Sequence, residues 1–65
     1  MNDFSVKLKS KRKGADLTQQ GMAERMLIPK RTIENWETGD RTPPSYVQRF
    51  VLNELEQLQK EREDK

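Results

Sequence analysis

Apolar residues between Leu17 and Glu37 fall into two short helical periods separated by a break. Met22, Ala23 and Met26 share one helical face, and Ile33 and Trp36 resume a buried face after the interruption at Leu27, Ile28 and Pro29. Thr18 stands where a side-chain oxygen caps the first helix of this pair, predicting a helix from about Thr18 to Met26. Pro29 restricts the residue before it and suits the first turn of a new helix, which starts at Pro29 or Lys30 and ends at Glu37 or Thr38. Gly39 then supplies a left-handed stop. Upstream, Ser5 through Arg12 is the helical segment, Phe4 just before it lies one turn from Leu8, and Gly14 and Asp16 supply the stop. Downstream, Pro43 and Pro44 block helix before Ser45 opens a last one with a stripe of Tyr46, Val47, Phe50, Val51, Leu55 and Leu58. The expected division is a domain over 1–58 and a charged tail over 59–65, whose final residues lack apolar anchors and should fray.

The remaining composition limits the chemistry. Only 31% of the 65 residues are hydrophobic, so the core must be concentrated and sits near the lower size limit for independent folding. A second subunit would relieve that limit. With no cysteine or histidine, the chain lacks disulfides, thiolate or imidazole metal ligands, and the residues of Cys- or His-based catalysis. Glu34 and Glu37 alone do not make a paired-carboxylate site, so neither an enzyme nor a cofactor is expected. No apolar run approaches the roughly 20 residues that span a bilayer, so no membrane partner is expected, and the absence of cysteine fits a cytoplasmic setting.

The net charge of +2 conceals an asymmetry. Residues 1–31 carry eight Lys or Arg against three acids, whereas residues 32–65 carry five against eight. The basic half suits a polyanionic partner. Its first helix presents Lys7, Lys9, Lys11, Arg12 and Lys13, mostly a solvated face from which Lys13 is a candidate phosphate contact. On the third helix, Arg31, Thr32 and Asn35 offer groups able to hydrogen-bond base edges, and Lys30 suits a phosphate or a guanine acceptor. Tyr46 and Phe50 share the apolar stripe instead of interleaving with basic residues, so they read as packing residues, not base-stacking platforms.

Taken together, LTQQGMAERMLIPKRTIENWETG resembles the Xre-type helix-turn-helix family, which includes phage Cro and repressor proteins and several antitoxins. The likeness rests on Leu17, Thr18, Gln19, Ala23, Ile33, Trp36, Glu37 and Gly39, and RTPPSYV is similar to the family's link into its fourth helix. The resemblance implies an all-α, compact four- to five-helix repressor-like bundle that binds double-stranded DNA, with the third helix in the major groove. Carried over, it makes Arg31, Lys30, Thr32 and Gln19 the base-reading set, with Pro29 and Asn35 as backbone or flanking contacts; Thr18, from its place at the helix start, and Lys13, from the basic surface, join these as candidates. It also implies a structural salt bridge between Arg12 and Glu37. Leu27 stands where the family commonly has a turn glycine, so a left-handed backbone there would cost about 1–2 kcal/mol.

The expected function is sequence-specific transcriptional regulation by a homodimeric repressor on a palindromic or pseudo-palindromic operator. Part of the last helix's stripe closes the monomer core, and Tyr46, Phe50, Val51, Leu55 and Leu58 are the candidates for a dimer or partner interface. The alternative is a small protein-interaction module or antitoxin-like subunit that grips a different protein through the same face.

Overall fold

A computed structural model describes residues 3–63, with side chains through Arg62. Four helices build the chain: α1 (Asp3–Gly14), α2 (Gln19–Met26), α3 (Lys30–Thr38) and α4 (Ser45–Glu63). The fold is all-α, and no strand occurs among the described residues. Helix α1 packs against both α3 and α4, while α2 packs against α3. The core is formed by Phe4, Leu8, Ala15, Met22, Ala23, Ile33, Val51 and Leu55. Every helix therefore contributes at least one fully enclosed apolar side chain.

Local chemistry sets each helix end. Thr18 lies just outside α2, in extended conformation, and its Oγ1 accepts from the Gly21 amide at 2.9 Å. This satisfies one of the orphan amides of the first turn. Leu27 closes α2 at φ 57°, ψ 42°, and the Ile28 amide reaches back to the Ala23 carbonyl at 3.1 Å. The turn thus keeps the left-handed geometry that glycine accommodates without a Cβ penalty, and a leucine sits in it. Gly39, at φ 84°, ends α3 in the same way, with its amide on the Trp36 carbonyl at 3.3 Å. After α1 the left-handed residue is Asp16, at φ 61°, while Gly14 remains helical. A Cβ on Gly14 would lie 2.9 Å from Oε1 at the tip of the Gln59 side chain, which can swing aside.

Polar contacts fix how the helices cross. Ser5 is fully buried and its hydroxyl donates to the Trp36 carbonyl at 2.6 Å, beside an edge-to-face contact of Phe4 with Trp36 at 6.1 Å. Lys11 reaches Glu56 at 2.8 Å and ties α1 to α4. That hydrogen bond, and then the Lys11 charge itself, hold the Glu56 carboxyl below its ordinary value. Helix α4 runs through residue 58 without a break, and Arg62 donates to the Gly14 carbonyl at 2.8 Å. The last two positions of the expected tail, 64 and 65, lie outside the described residues.

The stripe on α4 divides between the core and an outward face. Val51 and Leu55 are 1% and 0% exposed and belong to the core, which corrects their assignment to a dimer or partner interface. The cause is geometric: they face α1, and burying them there completes the monomer. Tyr46 and Phe50 point away from the core, and Leu58 is half-buried against it.

Candidate nucleic-acid interface

The third helix is held on its inner side and left open at its leading end. Ile33 and Glu37, one turn apart, are buried, whereas Lys30 and Arg31 are exposed and Thr32 is half-buried. Pro29 precedes α3 and has no side-chain group to cap it; its carbonyl accepts from the Thr32 and Ile33 amides at 3.0 and 3.3 Å. Arg31 and Lys30 thus extend from a turn whose backbone is anchored beneath them. Asn35 is half-buried, and its carbonyl accepts from the Arg41 amide and the Thr38 hydroxyl. Lys13 is exposed near the end of α1.

Beneath this surface lies an ion pair. Arg12 Nε donates to Glu37 Oε2 at 2.7 Å and Nη2 to Oε1 at 3.1 Å, with side chains 11% and 2% exposed. The third guanidinium nitrogen, Nη1, donates to the Leu17 carbonyl at 2.8 Å. One arginine therefore binds α1 to α3 and to the residue before the Thr18 cap. A bidentate arginine and carboxylate in a shielded site have the geometry needed to offset their desolvation.

Gln19 joins the same carboxylate, with Nε2 donating to Glu37 Oε1 at 3.2 Å. A carboxylate only accepts, so the amide nitrogen must face Glu37. That leaves the Gln19 carbonyl and its second N–H for an outside partner. The place of Gln19 at the start of α2 is legible in the sequence, but this link is not, because the two residues are 18 positions apart and on different helices. The buried Ser5 and Ala15 were likewise missed. Small side chains carry little hydrophobic signal, and only the seat of Trp36 over α1 gives Ser5 its role.

Two short helices joined by a left-handed turn, the second braced from within and exposed at its leading end, define a helix-turn-helix DNA-binding protein. The sequence profile described as helix-turn-helix matches residues 8–48, most of the chain, and the protein belongs to this family in its Xre-type form. No curated protein and no solved structure matches it. Family membership establishes a DNA-binding regulatory function in general terms and places the chain among regulators, not enzymes. Among the described residues, no group of three or more acidic side chains could hold a metal ion, and no helix is long and apolar enough to cross a membrane.

Proposed function

We propose that the protein is a sequence-specific repressor that lays α3 in the major groove of duplex DNA and works by occupying its operator. The observation that carries this reading is the exposed Lys30–Arg31 turn, set on a helix whose opposite face is fixed by Ile33 and the Arg12–Glu37 pair. Arg31 has the fork geometry that matches O6 and N7 of guanine, and Lys30 adds a second donor to the same kind of acceptor. Thr32 reaches a neighbouring base edge. Gln19, with its nitrogen turned to Glu37, offers one acceptor and one donor, the pattern that pairs with N6 and N7 of adenine. Thr18, Pro29, Asn35 and Lys13 lie around this set as phosphate or flanking contacts, which position the protein without reading sequence.

The protein acts as a homodimer on a palindromic or pseudo-palindromic site in the cytoplasm, with residues 1–58 as the DNA-binding unit. A two-fold pair would present two copies of α3 to major-groove faces one helical turn apart. Outward-facing Tyr46 and Phe50 support self-association. They also support the rival reading, an antitoxin-like module that grips a different protein, which would show as a DNA-independent hetero-complex.

Selection of bound duplexes from a randomised pool tests the proposal, followed by anisotropy titrations of the enriched sequence across salt concentrations. The expected result is one enriched motif with two-fold symmetry and an affinity that falls steeply with salt. Lys13→Ala should reduce the salt slope by about one without altering the motif. Equal binding to every duplex would refute sequence-specific reading.

A further inference from the structure

Leu27 contradicts the ordinary logic of a turn. Its backbone is left-handed and its side chain is 90% exposed, so within the monomer the leucine brings the Cβ penalty and almost no burial. Glycine or asparagine would close α2 with less strain. The side chain nevertheless has neighbours of its own kind: Leu27 and Phe50 line one open groove with Arg25, Met26 and Glu54. Tyr46 stands one turn before Phe50 on the same face of α4, and the two rings are 75% and 61% exposed.

We propose that this patch is a self-association surface, in which Leu27 of one copy seats against Phe50 of a second copy of the chain. The proposal rests on the homodimeric reading given above and names its contact. Two properties select a second copy as the occupant. The first is charge: Arg25 and Glu54 border the same groove, so a two-fold contact can set each Arg25 against the Glu54 of the other copy. A partner of one charge sign would meet repulsion at one border. Arg25 is only loosely engaged at home, 3.8 Å from Glu61 with both side chains mostly exposed, and is free to turn.

The second property is area. The exposed parts of Leu27, Tyr46 and Phe50 amount to roughly 400 Å² of side-chain surface, comparable to the largest apolar patch of an ordinary monomer. Doubled by symmetry and widened by Arg25, Met26 and Glu54, the contact reaches about 1,200 Å², the lower end of specific interfaces. A contact of that size belongs with weak, reversible associations.

Sedimentation of the full chain without DNA, from about 1 μM to about 1 mM, tests this. The wild type should pass from monomer to dimer across that range. Leu27→Gly should raise the dimer dissociation constant at least about tenfold while its Tm at low concentration holds or rises, because the knob is lost and the turn is relaxed. A purely structural role for Leu27 would not separate the two readouts. Arg25→Glu and Glu54→Arg should each weaken association, and the double variant should recover it.

A wild type that stays monomeric throughout, or Leu27→Gly that associates like the wild type, would overturn the proposal. The DNA-reading proposal is tested separately. A monomeric wild type that still enriches a motif removes only this surface, whereas a dimer sensitive to Leu27→Gly that ignores duplex DNA upholds it and removes the reading function.

Discussion

Two salt bridges of nearly equal length make a sharp test of what stabilises this fold. Arg12–Glu37 spans 2.7 Å with side chains 11% and 2% exposed, and Lys11–Glu56 spans 2.8 Å with side chains 36% and 46% exposed. Distance does not distinguish them; burial does. Removing one member of a buried pair strands the other and costs about 3–5 kcal/mol. In Glu37→Gln the amide oxygen still accepts one hydrogen bond, and Arg12 keeps the Leu17 carbonyl, which lowers the expected loss to about 2–3 kcal/mol. A 65-residue domain holds only about 3–10 kcal/mol in all, so this is a large share. In Glu56→Gln, water screens the stranded lysine and the change should be small by comparison. Urea denaturation followed through Trp36, the chain's single tryptophan, reads both variants at neutral pH. Glu37→Gln should lower the midpoint far more than Glu56→Gln at unchanged slope, and Arg12→Glu combined with Glu37→Arg should recover part of the loss of the single reversals. Equal midpoint shifts for Glu37→Gln and Glu56→Gln would refute the argument from burial.

The same denaturation assay separates the two faces of α4: Leu55→Ala should cost about 2–5 kcal/mol, and Phe50→Ala should stay within about 0.5 kcal/mol when measured where the chain is monomeric. Thr18→Ala should cost about 1 kcal/mol through loss of the α2 cap, and a serine at that position should restore most of it. The Glu56 carboxyl is held below its ordinary value of 4.5, chiefly by the Lys11 hydrogen bond, so its contribution is complete above that pH and is lost as the pH falls through the depressed value. Thermal melts across the acid range should therefore fall less steeply for Glu56→Gln than for wild type, and parallel curves would dissociate the bridge from stability.

Much of the fold is legible in the chain because its punctuation is chemically specific. Thr18 caps, Pro29 and the Pro43-Pro44 pair fix φ, and Gly39 tolerates a left-handed turn, and the observed helix ends fall within two residues of them. The apolar periods around Met22 and Ile33 fix which faces of α2 and α3 turn inward. The α4 stripe shows where such reasoning stops. Six apolar residues at helical spacing cover too wide an arc for one packing face, and only the seat of α1 separates buried Val51 and Leu55 from exposed Tyr46 and Phe50. Leu27 is a different case. Its conflict with a left-handed turn is visible in the sequence, but whether the backbone or the residue gives way depends on tertiary structure, and here the backbone keeps the turn. The spacing of Glu56 and Lys60 carries α4 past Leu58, but its run to Glu63 is not legible, because Arg62 finds its partner 48 residues away, at the Gly14 carbonyl.

Base-resolved footprinting of wild type and Arg31→Ala on the sequence enriched by selection decides whether the leading turn of α3 reads base edges. Loss of a bidentate arginine contact should cost about 1–3 kcal/mol of discrimination, confined to one base pair in each half-site, while protection elsewhere in the footprint persists. An unchanged base preference in Arg31→Ala, at that position and every other, would contradict direct reading by this residue.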